Sequence, residues 1–202
     1  MKRARPPKLG PQGGKLVRQT LKLWDALDLG RPLSSHILCA VSGGADSTAL
    51  ARLFALHLTK IGAPVVLAHF NHGWRGGESD RDEEFVCELA AQFKLPLLKT
   101  SARGRKPLAN LEDFARIERY AWLTKQAREL GPQTLILTAH TQDDLAETML
   151  WRLATGQFQN QSQGIRACDG QIVRPLLGVS RAELLAFLEE DSLSFWFVFS
   201  NN

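Results

Sequence analysis

The sequence predicts an α/β fold in which a parallel sheet carries helices on both faces. Short apolar runs alternate with longer segments of helical periodicity along most of the 202-residue chain. The runs, such as Val65-Val66-Leu67-Ala68, are too continuously apolar for a sheet with one solvated face, so helices must cover both faces. Ligands of such folds gather at the carboxyl ends of the strands, which makes polar residues there the functional candidates.

Four strands are expected, each where an apolar run is bounded by glycine, proline or polar residues. The runs lie at residues 37–41, 65–68, 95–98 and 134–138.

Helices are expected between and around these strands. The first has an apolar face that includes Leu16 and Trp24, ends near residues 30–32 and packs against the main domain. Others follow the first strand, cover 79–93 and 110–130, begin near Asp143, and follow Ser180. N-caps with acidic residues three positions later are predicted at Ser79, with Asp82, and at Asn110, with Asp113.

Bulk properties fit one soluble globular protein. Hydrophobic residues make up 44% and charged residues 23% of the chain, and no apolar run reaches membrane-spanning length. The three cysteines are odd in number and widely spaced, which disfavours a disulfide framework or a Cys-x-x-Cys metal site. A reducing, cytoplasmic location fits best.

The net charge of +4 is concentrated at the N-terminus, where residues 1–18 carry six basic side chains and no acidic one. We therefore divide the chain into a basic leader with its amphipathic helix, residues 1–30, and a main domain, residues 31–202. The leader is equally suited to following a nucleic-acid backbone and to lying free in solvent.

The stretch 42–48 is the strongest local signal, because a buried strand turns there directly into a helix. Gly43 and Gly44 permit positive φ and let the backbone curl around an anion, to which the helix presents its N-terminal N–H groups. Hydroxyl donors come from Ser42, Ser47 and Thr48. Asp46 would repel a phosphate unless a cation lay between them, so the stretch indicates a magnesium nucleotide. The glycines alone are also explained by a tight turn.

Polar residues follow two other strands. They are His69, His72 and Arg75 after the second, and His140, Asp143 and Asp144 after the fourth. Because these ends share an edge with the loop, they predict a site. Zinc at the two histidines of the second strand is an alternative, disfavoured because no cysteine is near. Asp143 and Glu147, four apart on a helix, either hold magnesium or favour the helix N-terminus electrostatically.

Arg116 and Arg119 lie three apart in the predicted helix 110–130 and share a face. They are suited to clamping phosphates or a nucleic-acid backbone. Glu112, four residues before Arg116, offers a purely structural ion pair instead.

The string Ser42-Gly-Gly-Ala-Asp-Ser47 closely resembles the PP-loop of the N-type ATP pyrophosphatases, which split ATP into AMP and pyrophosphate. Further motifs in order make the chain similar to the tRNA(Ile)-lysidine synthetase family. They are His69-Phe-Asn-His-Gly-Trp-Arg75, Leu111-Glu-Asp to Arg119-Tyr120, Thr138-Ala-His to Glu147-Thr148, and Ile172-Val-Arg-Pro-Leu-Leu177. The resemblance covers nearly everything beyond the leader and implies a PP-loop ATPase domain of the adenine nucleotide alpha hydrolase-like type.

The resemblance implies that ATP and Mg²⁺ serve to adenylate the C2 oxygen of the wobble cytidine, position 34, of an isoleucine tRNA with a CAU anticodon. Free L-lysine then attacks C2 and expels AMP, giving lysidine. The implied nucleotide-binding residues are Ser42, Gly43, Gly44, Ala45, Ser47, Thr48, His69, His72 and Arg75, with Asp46 acting through magnesium. The implied catalytic residues are Asp46, Arg116, Arg119, His140, Asp143 and Asp144, with an aromatic such as Trp74 helping to unstack the cytidine.

Departures from the family pattern keep other functions open. Thr141 and Leu145 stand where the family usually has His and Gln, and residues 155–164 replace a Gly-rich segment. We also expect the protein to lack the C-terminal tRNA-binding domains often found in the family. The apolar run 195–199 should be buried by this chain or by a second copy in a homodimer. The alternatives are another PP-loop tRNA-modifying or amide-forming enzyme, and a truncated, non-catalytic nucleotide- or tRNA-binding module.

Overall fold

The computed structural model describes residues 8–30, 33, 35–58, 61–102, 110–156 and 164–190. The helices are α1 (Pro11–Ala26), α2 (Ala45–Arg52), α3 (Gly77–Phe93), α4 (Leu111–Leu130), α5 (Gln142–Ala154) and α6 (Arg181–Glu190). A π-helical turn, Leu53–His57, continues α2. The strands are β1 (Ile37–Ala40), β2 (Val65–Asn71), β3 (Leu97–Ser101), β4 (Leu135–Leu137), β5 (Cys168–Asp169) and β6 (Ile172–Val173).

The strands form one sheet in the order β3-β2-β1-β4-β6-β5. Neighbours are parallel except β5 and β6, an antiparallel pair at one edge. The predicted parallel sheet is therefore confirmed for its centre, whereas the antiparallel pair was not predicted. The order of the strands reverses direction at β1, so the loops after β1 and β4 diverge and open a crevice at the carboxyl edge of the sheet.

Side chains alternate along the central strands between two apolar cores. Leu38 and Ile136 face a core shared with Leu123 of α4. Cys39 and Leu137 face the opposite core, to which α1, α2, α3 and α6 contribute. Helices thus cover both faces of the sheet, as the continuous apolar runs predict.

Helix α1 packs into the larger core, as its apolar face predicts. Leu16 and Trp24 are buried in the same core as Phe187 of α6. The C-terminal end of α6 also caps the first turn of α1, because the Gly13 N–H donates to Glu190 Oε2 at 3.0 Å. Residues 1–7, the most basic part of the leader, lie outside the described residues.

Strands β2 and β3 differ most from their predicted bounds. Strand β2 continues to Asn71 because its polar side chains have hydrogen-bond partners: His69 Nδ1 donates to the Val41 carbonyl (2.8 Å) and Asn71 Nδ2 to Glu83 (2.9 Å). Strand β3 begins after Pro96, which has no N–H for the ladder, and ends at Ser101. Its last three residues, Lys99, Thr100 and Ser101, are polar, as suits a strand at the edge of the sheet.

The predicted N-cap at Ser79 is wrong. Helix α3 begins at Gly77 after Gly76, whose φ of +55° and ψ of −128° suit glycine, and Ser79 Oγ instead accepts from the Arg75 N–H at 3.3 Å. Asn110 does precede α4, but it adopts a left-handed conformation and its side chain makes no capping hydrogen bond.

The predicted end of the first helix near residues 30–32 is wrong, because α1 ends at Ala26 and Asp28 adopts a positive φ of 51°. Two other sequence-based expectations concern segments outside the described residues. They are most of the polar stretch 155–164 and the apolar run 195–199. Within the described ranges, no helix combines the length and the apolar character needed to cross a membrane.

Candidate active site

The loop between β1 and α2 is held in shape by its own hydroxyl groups. Ser47 Oγ donates to the Gly44 carbonyl (3.0 Å) and accepts from the Ser42 N–H (3.1 Å). Thr48 Oγ1, which is fully buried, donates to the same carbonyl at 2.9 Å. Gly43 has a φ of +101°, in the region that side chains rarely adopt. The loop is therefore a preformed turn with Thr48 supporting it from inside.

Helix α2 begins without a side-chain cap. Gly44 is its N-cap residue, and no described side chain accepts from the first turn as a cap. The first helical hydrogen bond runs from the Thr48 N–H to the Gly44 carbonyl at 3.0 Å. The N–H groups of the three residues before Thr48 consequently have no acceptor within the helix, and they and the helix dipole favour an anion there.

Three carboxylates and one guanidinium meet beside this helix. Arg181 Nε lies 3.2 Å from Asp46 Oδ2, and Arg181 Nη2 lies 3.5 Å from Asp144 Oδ1. The backbone N–H of Arg181 donates to Asp143 Oδ2 at 2.8 Å. Burial raises the pKa of Asp46, the Arg181 charge lowers it, and the two neighbouring aspartates raise it further.

The second carboxylate oxygen of Asp144, Oδ2, takes part in the N-terminal cap of α5. Asp144 Oδ2 accepts from the Thr141 N–H (2.6 Å) and from Thr141 Oγ1 (2.8 Å), while the Asp144 N–H donates back to Thr141 Oγ1 (3.3 Å). This is a capping box, which fixes the carboxylate. Asp144 therefore has one oxygen committed to structure and one, Oδ1, directed at Arg181.

His140 is a neutral polar group in this site. Its Nδ1 lies 3.0 Å from Thr138 Oγ1. Burial, and then the charge of Arg174, lower the pKa of His140 to about 4. At neutral pH its ring can therefore donate or accept a hydrogen bond but carries no charge.

The carboxyl end of β2 contributes two further histidines. His69 is held beneath the loop by its bond to Val41, and burial lowers its pKa. Burial, followed by the charge of Arg119, lowers the pKa of His72 to about 4. Trp74 extends this wall: its ring lies 5.1 Å from His72 and 6.3 Å from Phe114, between ring centroids.

Arg75, the residue after Trp74, also lines the pocket. It forms an ion pair with Asp82, with 2.8 Å between Nη2 and Oδ2. Asp82 in turn approaches the loop so closely that a Cβ on Gly43 would lie 3.4 Å from its Cβ. Through Asp82, Arg75 is held near the loop between β1 and α2.

The two arginines of α4 differ in their surroundings. Both guanidinium groups lie over the ring of Tyr120, at 5.3 Å for Arg116 and 5.5 Å for Arg119. Arg119 lines the pocket, and burial lowers its pKa, whereas Arg116 is exposed and lies outside the lining. Of the two arginines predicted to clamp phosphates, only Arg119 therefore lines the pocket.

These elements enclose one pocket of about 680 Å³ at the carboxyl edge of the sheet. Its lining includes most of the predicted site residues, namely Ser42, Gly44, Ala45, Asp46, Ser47, His69, His72, Arg75, Arg119, His140 and Asp144. Gly43, Thr48, Arg116 and Asp143 lie adjacent and do not line it. The volume is in the range of small-ligand sites.

Sequence reasoning missed Arg181, Asp82 and Leu185, which also line the pocket. Asp82 was interpreted only as a partner of the Ser79 cap, and Arg181, in the helix predicted after Ser180, was not singled out. Their positions depend on the docking of α3 and α6 against the loop, for which no local pattern gives a signal.

The residues present fit a divalent cation at Asp46. Asp46 Oδ1 is buried and has no hydrogen-bond partner among the described residues, and its Oδ2 already contacts a cationic group. In the same part of the chain, no cluster of three or more His, Cys, Asp or Glu residues is arranged for a metal. A magnesium ion would therefore be held by Asp46 together with oxygens of a bound nucleotide.

Comparison with known proteins gives a consistent family. A family model described as a PP-loop domain matches residues 15–202. A tRNA(Ile)-lysidine synthase from Parabacteroides distasonis is 38% identical over 184 residues, covering 89% of this chain and 40% of that protein. One from Thermus thermophilus is 44% identical over 160 residues, covering 75% of this chain and 29% of that protein. The chain thus spans less than half of these relatives' length.

Solved structures share the fold at low sequence identity. The U34-tRNA thiolase NcsA from Methanococcus maripaludis superposes with a TM-score of 0.72 at 16% identity, over 92% of this chain and 66% of that one. A glutamine-dependent NAD⁺ synthetase from Acinetobacter baumannii superposes with a TM-score of 0.54 at 17% identity, over 96% of this chain and 35% of that one.

Proposed function

The chain belongs to the PP-loop domain family, together with the tRNA(Ile)-lysidine synthases, and on that premise we propose that it is a lysidine-forming ligase. It would join free L-lysine to C2 of the wobble cytidine, position 34, of an isoleucine tRNA with a CAU anticodon. ATP would be consumed as AMP and pyrophosphate. The observation that carries the proposal is the convergence of the anion-binding loop, Asp46, Asp144 and Arg119 on one pocket.

The loop and α2 suit the pyrophosphate portion of ATP. The open N-terminus of α2 offers N–H groups to phosphate oxygens, and the partly exposed guanidinium of Arg75 pairs with Asp82, which lies against Gly43. Asp46 would hold Mg²⁺ through its unpaired Oδ1. A bound magnesium ion would offset the negative charge of the phosphates and of the departing pyrophosphate.

The first proposed step makes a leaving group of the cytidine oxygen. O2 of cytidine attacks the α-phosphorus of ATP, the bond to pyrophosphate breaks, and O2 becomes part of an AMP ester. The protein contributes positioning and charge, since no covalent bond to it is needed. Arg119 supplies a half-buried positive charge, and His140 supplies a hydrogen bond without a competing charge.

The second proposed step transfers lysine. An amine of lysine attacks C2, the C2–O2 bond breaks, AMP departs with O2, and the amine loses a proton. Asp144 is suited to orient the incoming amine and to accept this proton, because its Oδ1 faces the pocket while its Oδ2 is fixed by Thr141. Glu147, one turn further along α5, adds negative charge that favours a cationic substrate.

The partners follow from this reaction. We expect isoleucine tRNA and free L-lysine as substrates and the cytoplasm as location, and the aromatic wall of His72 and Trp74 is suited to stack on an unstacked base. The basic leader is the candidate for contact with the tRNA backbone. A homodimer that covers residues 195–199 stays a prediction.

Incorporation of labelled lysine into isoleucine tRNA with a CAU anticodon tests the proposal. The assay contains ATP and Mg²⁺, follows pyrophosphate in parallel, and uses the same tRNA with uridine at position 34 as control. We expect lysine-dependent labelling of the first tRNA only. Pyrophosphate release without labelling would indicate another acceptor and overturn the proposed reaction. Nucleotide binding without either product would indicate a non-catalytic module.

A further inference from the structure

The backbone of Arg181 is fixed, whereas its guanidinium group can move. Arg181 is the first residue of α6, whose start is fixed by Ser180 and Glu183: the Ser180 N–H and Oγ both donate to Glu183 Oε2, at 2.9 Å and 3.0 Å. The helix is held in the core by Leu184 and Phe187, which are fully buried. By contrast, 44% of the Arg181 side chain is exposed, so its guanidinium can shift without disturbing α6.

The guanidinium of Arg181 lies between two carboxylates that need a positive charge. It connects Asp46 on α2 with Asp144 on α5. These two carboxylates would repel each other without a positive charge between them. The contact occupies Asp46 Oδ2 and leaves the buried Oδ1 unpaired. Asp46 Oδ2 is thus paired with the Arg181 guanidinium, whereas Asp46 Oδ1 remains available to a divalent cation.

We propose that Arg181 is a positioning residue that competes with the divalent cation of the nucleotide for Asp46 and keeps Asp144 oriented while it does so. The inference rests on the proposed nucleotide site. When the metal takes Asp46, the guanidinium keeps Asp144 and its charge faces the nucleotide. In this arrangement Arg181 sets how much metal is needed to load the site, and its charge becomes available to the phosphates only after loading.

The competition predicts a metal affinity that rises when the positive charge is removed. In Arg181→Met the stem is kept, the charge is lost, and the backbone N–H to Asp143 remains. Mn²⁺ is expected to bind about two- to fivefold more tightly to this variant, the range for losing one partly exposed ion pair. Binding is measured from the loss of the free Mn²⁺ signal in electron paramagnetic resonance, with the protein saturated with α,β-methylene ATP and the analogue alone as reference.

Two variants make the measurement specific. Arg181→Lys keeps the charge and is expected to restore most of the wild-type Mn²⁺ affinity. Lys15→Met removes a different ion pair of the same helix, Lys15 with Glu183 at 2.6 Å, and is expected to leave Mn²⁺ affinity unchanged. Equal or weaker Mn²⁺ binding by Arg181→Met, or equally tight binding by Arg181→Met and Arg181→Lys, would overturn the inference.

Activity provides a second readout that a purely structural defect would not reproduce. In the lysine assay, Arg181→Met should lower both the Mg²⁺ concentration for half-maximal rate and kcat, whereas a loss of folded protein lowers only the apparent kcat. Circular dichroism confirms folding, and Arg181→Gln replaces the methionine variant if that one fails to fold. Failure of the wild type to label tRNA would refute the proposed reaction but leave the Mn²⁺ comparison intact, so the two failures are distinguishable.

Discussion

Two helices begin side by side at the carboxyl edge of the sheet, and their first turns are built in opposite ways. Helix α2 follows β1 and starts at Gly44 with no side-chain cap, so its N–H groups stay available. Helix α5 follows β4 and starts with a complete capping box between Thr141 and Asp144. One N-terminus is left open to an anion, and the other satisfies its own donors and presents carboxylates.

The difference explains how one pocket serves ligands of both signs. The open end of α2 favours phosphates, and the closed end of α5 favours cations such as magnesium or an amine. Asp46 belongs to the first helix and Asp144 to the second, and Arg181 connects them. Substitutions at Asp46, Gly43 and Thr141 each alter one of these helix starts.

The largest effect is expected at Asp46. Asp46→Asn keeps the shape of the side chain but removes the charge that a divalent cation requires, so the rate of lysine incorporation should fall about a hundredfold or more. The rate is measured at saturating ATP and Mg²⁺, with circular dichroism as the control for folding. Full activity in a folded Asp46→Asn protein would refute the role of Asp46 in metal binding.

A smaller loss is expected when the open turn is deformed. Gly43→Ala places a side chain at a φ of +101°, which costs about 1–3 kcal/mol, and its Cβ would lie 3.4 Å from that of Asp82. Affinity for the ATP analogue, measured by calorimetry, should therefore fall about tenfold. Gly178→Ala is the matched control, because nothing lies within 4 Å of a Cβ there and its φ is not positive. Equal effects of the two substitutions would contradict the importance of the turn.

Opening the capped helix should reduce stability more than activity. Thr141→Ala removes the cap of α5 and is expected to lower the free energy of unfolding by about 1 kcal/mol, measured in urea. Thr155→Ala removes a hydroxyl at the other end of the same helix, where Thr155 Oγ1 donates to the Trp151 carbonyl at 2.9 Å, and should cost less. If Thr141→Ala costs no more than Thr155→Ala, the capping box does not stabilise α5.

A pH dependence of stability is also expected, and it involves no helix start. The pKa values of His72 and His140 are lowered to about 4 by burial, from 6.5 in an unfolded chain. Below pH 6.5 the unfolded chain binds more protons, so the free energy of unfolding should fall as pH drops from 6.5 to about 4. A double variant, His72→Gln with His140→Gln, should show a shallower fall in urea titrations. Identical slopes in the two proteins would contradict the buried neutral state.

Local sequence predicted the central sheet, the loop and the eleven candidate residues that line the pocket. Continuous apolar runs predict strands covered on both faces, and the strand-to-helix turn at Gly43 needs only its immediate neighbours. Because parallel strands place their carboxyl ends at one edge, His72 and His140 were expected together from chain order alone. The predictions failed where neighbours in space override local preference, as at Ser79, which lies inside the first turn of α3.

Only the tertiary structure decided the electrostatics of the site. Arg181 and Asp46 are 135 residues apart, and they meet because α6 packs against α2 through buried side chains such as Leu184. On α4, which packs on the other face of the sheet, Arg116 is exposed whereas Arg119 is half-buried and lines the pocket, although the two share a predicted face. Sequence periodicity states which residues share a face of a helix, whereas the charge that each residue meets across the pocket depends on how separate elements dock.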